Sequence, residues 1–216
     1  MSSANLIRWS GLISVLAGVL YAVGALLHPV GEDLGAVTSS NWIPAHLVYW
    51  VSIILMHLSL VGLYARQMKE TGWLGLVGFI LAFIGTALVG SILLYVSTTL
   101  PLIADEAQEI FDQAAAPPTF MLLLFVLGFG VGWTLIGVAT MRAGVLPRWS
   151  GLLLIIGVML FAISEAVPFE DTLAHLLVTV GDITFGLGLI WIGYALWSDG
   201  ADSVQYAPAA TTVSRS

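Results

Sequence analysis

The sequence predicts an all-α membrane protein with six transmembrane helices. Of its 216 residues, 59% are hydrophobic and 9% are charged, a composition outside the usual range of soluble domains. A helix needs ~20 apolar residues to cross a bilayer core of ~30 Å. The chain supplies six such runs, near residues 8–27, 44–65, 73–97, 119–141, 149–167 and 173–197.

The distribution of charged residues predicts how these spans are oriented. Every basic residue falls on one side of the alternating spans: Arg8, Arg66, Lys69, Arg142, Arg148 and Arg215. The connections on the other side carry only acidic charge: Glu32, Asp33, Asp105, Glu106, Glu109, Asp112, Glu170 and Asp171. By the positive-inside rule, we expect a multi-pass cell-membrane protein with both termini in the cytoplasm. Since no basic patch could neutralise phosphates, we expect the lipid bilayer as a partner and no nucleic acid.

An internal repeat predicts how the spans are grouped. The five residues 148–152 repeat residues 8–12 letter for letter, and each copy reaches a second span through Ala-His-Leu, at 45–47 and 174–176. A looser echo follows Gly72. We therefore predict three tandem helical hairpins, related as parallel repeats because each contains two spans. Their bounds are about 8–66, 72–142 and 148–198.

Interface residues and small residues mark the individual spans in order. Arg8-Trp9 opens the first span at headgroup level, and His28-Pro29 ends it. Cytoplasmic turns are expected at 66–71 and 141–147. Glycines are frequent in the third span, and Gly128 and Gly132 form a GxxxG pair in the fourth, a pattern that favours close helix packing.

Two segments outside the spans have their own predictions. The long outer connection, residues 98–118, has apolar residues at helical spacing opposed by carboxylates, which predicts a short amphipathic helix. Residues 199–216 are polar and rich in Ala, Thr and Ser, so we expect a disordered cytoplasmic tail after a single membrane domain, 1–198.

A His-Pro pair ends the first span, and Pro44-Ala45-His46-Leu47 opens the second. With this organisation the chain resembles small polytopic integral-membrane proteins of bacteria. The resemblance implies a multi-span helical fold and carries over no catalytic residues. The chain lacks the defining residues of two better-known families. It has neither the Pro-x-Asp/Glu-x-x-Lys/Arg signature of mitochondrial-type carriers nor the His-x-x-x-His pair of the membrane hydrolases that include alkaline ceramidases.

The first candidate site comprises polar residues at the outer ends of spans: His28, His46, His175 and Glu165. Three imidazoles and a carboxylate could hold zinc or another transition metal, and two of the histidines could ligate haem. Alternatively, histidines at an interface cap helix ends and bond to backbone or water. The spacing of these residues matches no metal-binding motif, and the sequence does not identify a cofactor.

The second candidate site is centred on Asp182, a single carboxylate deep inside an apolar run. An isolated ionised aspartate there would be very unfavourable, so it must be paired or protonated. His57 lies at a similar expected depth, and Thr179 shares the Asp182 stripe. We predict a buried Asp–His pair that acts as a proton relay or ligand-binding centre, with a helix-packing hydrogen bond as the alternative.

These patterns favour a small-ligand binding or transport-type membrane protein with a buried Asp/His centre. One alternative is a membrane enzyme, or a haem or metal protein, that uses the outer His/Glu cluster. Another is a non-catalytic assembly or regulatory subunit that binds a membrane-protein partner or a second copy of itself. The sequence leaves open whether the protein is an enzyme.

Overall fold

The computed structural model describes residues 3–31, 33–104, 125–167 and 169–205, and these residues contain helices and no strand. The described residues form seven α-helices and one π-helical segment, Val126–Val131. The α-helices are α1 Ser3–Leu27, α2 Leu34–Val37, α3 Trp42–Thr98, α4 Leu100–Ile103, α5 Gly132–Ala143, α6 Arg148–Ala166 and α7 Asp171–Gln205.

Four stretches of helix in the described part of the chain are long and apolar enough to cross a membrane. They are Asn5–Leu27, Trp42–Ile103, Val126–Ala143 and Asp171–Ser198. The predicted all-α class, with helices suited to a membrane, is therefore confirmed. The apolar part of α6 is Arg148–Ser164, which is shorter than the ~20 residues that a straight span requires.

The predicted second and third spans both lie within α3. We expected a turn at 66–71, but these residues are helical and the bend is confined to Gly72, with φ 53° and ψ −141°. Only glycine adopts such a conformation without strain, so a single residue redirects the chain. The two halves of α3 then lie antiparallel, as two contacts between them show. Tyr64 stacks on Phe79 with ring centroids 4.6 Å apart, and His57, farther from the bend, packs edge-on against Phe83 with ring centroids 4.8 Å apart.

Small residues bring the helices together around a closed bundle. A Cβ on Gly11 of α1 would lie 2.7 Å from the Gly193 carbonyl oxygen of α7. Similarly, a Cβ on Gly157 of α6 would lie 2.6 Å from the Gly181 oxygen of α7. Because α1 contacts both α3 and α7, the first and last long helices close the bundle.

The GxxxG pair forms one of these close seams. A Cβ on Gly128 would lie 2.6 Å from the Cα of Gly85, and one on Gly132 would lie 2.6 Å from the Cα of Ala82. Backbone therefore meets backbone where the π-helical segment and α5 cross the second half of α3. Such small-residue contacts let helices approach closely when lipid supplies no hydrophobic drive between them.

The two ends of the bundle differ in charge. At the basic end, Arg8 stacks over the Trp197 ring at 4.2 Å. Gly144, in the left-handed conformation at φ 63°, ends α5 at this same end. At the acidic end, Asp33 caps α2 by accepting a hydrogen bond from the Ala36 amide at 2.8 Å.

A small apolar cluster covers the acidic end. It comprises Ala36, Val37, Trp42, Leu100 and Ala104. Trp42 is fully buried and its indole nitrogen donates to the Val96 carbonyl at 3.0 Å, which ties the start of α3 to its end. Of the predicted amphipathic helix, only the short α4 lies within the described residues; residues 105–118 lie outside them.

The last helix is longer than predicted. We expected a disordered tail from residue 199, but α7 continues to Gln205. Polar composition alone did not mark its end, because residues 199–205 contain no proline and one glycine, which a helix tolerates. Residues 206–216 lie outside the described part of the chain.

Candidate functional site

Asp182 lies in the bundle interior with 5% of its surface exposed. The hydroxyl of Tyr49, on α3, donates a hydrogen bond to Asp182 Oδ2 at 2.5 Å. Tyr21, on α1, is a second hydroxyl partner of the same carboxyl group. Three helices that are far apart in sequence therefore meet at one acidic group.

Aromatic rings surround this carboxyl group. Tyr21 packs edge-on against Tyr49, with ring centroids 5.1 Å apart, and against Phe185 at 5.6 Å. Phe185 lies three residues after Asp182, so one turn of α7 supplies both the acid and part of its apolar wall. The rings make the surroundings of the carboxyl group apolar, and the tyrosine hydroxyls are its side-chain hydrogen-bond partners.

The predicted Asp182–His57 pair is wrong. The Nδ1 of His57 bonds to the Ile53 carbonyl at 2.9 Å, and its ring faces Phe83 in the second half of α3. His57 lies eight residues, about two turns, farther along α3 than Tyr49, and its ring faces the neighbouring helix segment. Tyr49, two turns closer to the acidic end, reaches Asp182 instead.

Thr179 does not join the carboxyl group either. Its hydroxyl lies 3.4 Å from Nε2 of His175, one turn away on α7. The predicted stripe of His175, Thr179 and Asp182 is therefore present, but Thr179 contacts the histidine at the rim and not the buried acid.

The three outer histidines meet, as their predicted positions suggest. The ring centroid of His28 lies 4.9 Å from that of His46 and 6.2 Å from that of His175. Trp42 covers the group, with its ring 4.2 Å from His46. His46 is buried, whereas His28 and His175 are half-buried.

Backbone contacts define the tautomers of two of these rings. Nδ1 of His28 lies 2.8 Å from the Pro29 carbonyl oxygen, and Nδ1 of His46 lies 2.8 Å from that of Trp42. A carbonyl oxygen only accepts, so Nδ1 carries the hydrogen and Nε2 is the basic nitrogen of each neutral ring. Burial lowers the pKa of His28 from its ordinary 6.5, and His175 acts in the same direction, whereas the Pro29 bond opposes it. His28 is therefore neutral at pH 7.

The cluster does not have the arrangement of a metal centre. Among the described residues, no group of three His, Cys, Asp or Glu side chains is placed to hold a metal ion. The three described members of the predicted metal set, His28, His46 and His175, therefore do not form such a group, and the part of the prediction that involves Glu165 is not tested. The rings are tilted and stacked upon one another, and the side chain of Glu165 lies outside the described part of the structure.

The site thus has two layers, both built from α1, α3 and α7 and from His28, which directly follows the end of α1. The outer layer holds the three histidines, His28, His46 and His175. The inner layer holds Tyr21, Tyr49 and Asp182. The layers touch where His28 packs edge-on against Tyr49, with ring centroids 6.4 Å apart.

Sequence reasoning missed the two tyrosines. A spacing of seven residues separates Tyr21 from His28, and the same spacing separates His175 from Asp182. Seven residues return to one face of a helix, two turns away. This shared spacing is the signal that could have placed Tyr21 beside Asp182; Tyr49 has the weaker spacing of three from His46.

The described residues define an all-α protein with apolar helices suited to a membrane and a buried carboxyl group held by tyrosine hydroxyls. The chain matches no protein family model, no curated protein and no solved structure.

Proposed function

We propose that this chain is a membrane protein that binds a proton at Asp182, as the ligand-binding centre of a binding or transport-type protein. The observation that carries the proposal is the buried carboxyl group with hydroxyl partners. A tyrosine hydroxyl donates to an ionised carboxylate and can also accept from a protonated one. The same geometry therefore serves both protonation states.

The position of the cations supports proton binding over a structural ion pair. Arg8 stacks over Trp197, which lies fifteen residues along α7 from Asp182, a separation of ~22 Å. An ionisable group inside a membrane domain is costly, and such groups mark proton or ion sites. Side chains fill the bundle centre, since Met56, Leu60 and Leu189 are fully buried, so a proton suits the site better than a larger solute.

The proposal includes six spans in three parallel hairpins, with both termini in the cytoplasm. Matching contacts in the first and last hairpins support it. Ser10 and Ser150 each donate to the carbonyl three residues earlier, both at 2.6 Å. In the first hairpin, Ser52 donates a hydrogen bond to the Ala17 carbonyl. The repeat aligns Ala17 with Gly157 and Ser52 with Gly181, and these two glycines are in close contact in the last hairpin.

Cysteine labelling tests this topology, because the chain has no cysteine of its own. Ser40 and Glu70 are exposed, on the acidic and basic sides of the first half of α3. We expect Ser40→Cys to react with an impermeant thiol reagent in intact cells and Glu70→Cys to react only after permeabilisation. The reverse labelling pattern would contradict the proposed orientation, and equal labelling of both would contradict the span between them.

Proton titration tests the proposed function. The protein in lipid nanodiscs is titrated potentiometrically beside Asp182→Asn, which keeps the shape of the side chain and removes its ionisable proton. We expect the wild-type curve to contain one additional titrating group, which Asp182→Glu restores. Superimposable curves for wild type and Asp182→Asn, with both proteins folded, would show that Asp182 is purely structural.

A second candidate function is that of a non-catalytic assembly subunit. It is favoured by a shallow apolar groove on the outside of α6 and α7, lined by Leu153, Leu187, Ile190, Trp191 and Tyr194. Under this alternative the Asp182–Tyr49 bond only orders the helices. A membrane partner that co-purifies in fixed ratio, together with superimposable titration curves, would favour it over proton binding.

A further inference from the structure

The two layers of the site form a gradient from the acidic end of the bundle to its interior. His28 and His175 are half-buried at the rim, His46 beneath them is buried, and Tyr49 and Asp182 lie deeper still. Each successive ring contacts the next, from His175 to His28 and from His28 to both His46 and Tyr49. The series ends at the bond from Tyr49 to Asp182.

The opposite side of Asp182 is closed by apolar side chains. Along α3, Met56, Leu60 and Leu63 follow one another toward the basic end, and Leu189, Ile192 and Leu196 do so along α7. All six are fully buried. They belong to the same core cluster, which separates Asp182 from the end that carries Arg8. These six side chains have no group that could bind or pass a proton. The buried polar side chains at similar positions along the described helices, Ser14, Ser59 and Gln67, do not titrate near neutral pH, and Ser14 donates its hydroxyl to the Leu189 carbonyl at 2.8 Å.

Among their described side chains, the other helices around the site place no further titratable group beside Asp182. The π-helical segment and α6 contribute phenyl rings, with Phe129 5.7 Å from Phe185 and Phe161 5.3 Å from Phe125. Of the charged side chains of α5 and α6, Arg142 and Arg148 are at the basic end, and that of Glu165 lies outside the described part of the structure. At the rim, the exposed carboxylate of Asp171 lies near Gly31 and adds negative potential.

We propose that protons reach Asp182 from the acidic end only, through the histidine layer and Tyr49. This inference rests on the proposed proton binding at Asp182 and adds its route and sidedness. Nε2 of a neutral histidine takes up a proton from solvent, as imidazoles do in proton shuttles. A proton that arrives at Tyr49 Oη displaces the hydroxyl proton onto Asp182 Oδ2, so the carboxyl group gains one proton and the tyrosine is unchanged. Release follows the same path in reverse.

The rate of proton exchange tests the route. After a pH jump, the carboxylic C=O band of Asp182 is followed by time-resolved infrared spectroscopy in nanodiscs. His28→Phe keeps an aromatic ring at the point where the layers meet and removes the basic nitrogen. Because positioned acid–base groups accelerate proton transfer ~10²- to 10⁴-fold, we expect exchange to slow at least tenfold. His57→Phe is the matched control, because His57 faces Phe83 off the route, and its rate should equal that of wild type.

The outcomes separate the route from the function on which it rests. If Asp182 titrates and exchange is slowed by His28→Phe but not by His57→Phe, the route is supported. If Asp182 titrates and both variants exchange as fast as wild type, the route is wrong while proton binding stands. If the Asp182 band does not titrate in wild type, both fail. Should His28→Phe not fold, the half-buried His175→Asn replaces it with the same expectation.

Discussion

Gly85→Leu is expected to destabilise the bundle by ~3 kcal/mol or more, at the upper end of overpacking effects. A Cβ on Gly85 would overlap the backbone of Gly128 and Phe129, so relief requires that two helices separate and not that a side chain rotates. The seam joins the second half of α3 to the π-helical segment. Separation would also displace Phe129, which packs against Phe185 beside Asp182.

The thermal unfolding midpoint in detergent micelles measures this effect. Gly130→Leu is the matched control, because a Cβ on Gly130, two residues from Gly128, would meet nothing within 4 Å. We expect the control to unfold close to wild type and Gly85→Leu to unfold well below it. Equal midpoints for the two variants would show that the close backbone seam is not present in solution.

Asp182→Leu is expected to have the second large effect on stability. It leaves the hydroxyls of Tyr21 and Tyr49 buried and without their acceptor. A buried polar group without a partner costs ~1–3 kcal/mol, so we expect a loss of ~2 kcal/mol or more. The gain in apolar volume offsets part of this loss.

The triple variant Asp182→Leu, Tyr21→Phe, Tyr49→Phe is the control for that interpretation. Replacing a polar group together with its partners can be nearly neutral, because no donor or acceptor is then left unpaired. We expect the triple variant to unfold closer to wild type than Asp182→Leu alone. If it is less stable than the single variant, the hydroxyl–carboxyl contacts do not account for the effect of Asp182→Leu.

Hydrophobic patterning predicted the helices but not where they bend. The apolar runs fall on the observed helices because a bilayer-length run of such residues has few alternatives to a helix. The turn at 66–71 was misplaced because Arg66 and Lys69 read as a loop, whereas the chain redirects at Gly72 alone. A glycine at a reversal resembles the many packing glycines around it, so sequence alone could not distinguish their roles.

The sequence singled out the aspartate and the histidines of the candidate site, but it did not predict which side chains bond to the aspartate. Asp182 was identifiable because a carboxylate in an apolar run is costly, and the histidines because the repeat places His46 and His175 at one depth. Periodicity along one helix states which residues share a face. It does not state which neighbouring helix that face meets, so the contact of His57 with Phe83 could not be predicted. Tyrosine serves both as an apolar packing residue and as a hydrogen-bonding residue, so no sequence pattern distinguished Tyr49 as a partner of Asp182.

The proposed proton binding requires that Asp182 gain and lose a proton while it is buried. Infrared difference spectroscopy between high and low pH, on wild type and Asp182→Asn in the same nanodiscs, tests it most directly. Proton binding at Asp182 predicts a carboxylic C=O band that appears as the wild type is acidified, is absent from Asp182→Asn, and shifts in Tyr49→Phe because the hydrogen bond to Oδ2 is lost. A band that persists unchanged in Asp182→Asn, or no band at any pH at which the protein is folded, would contradict it.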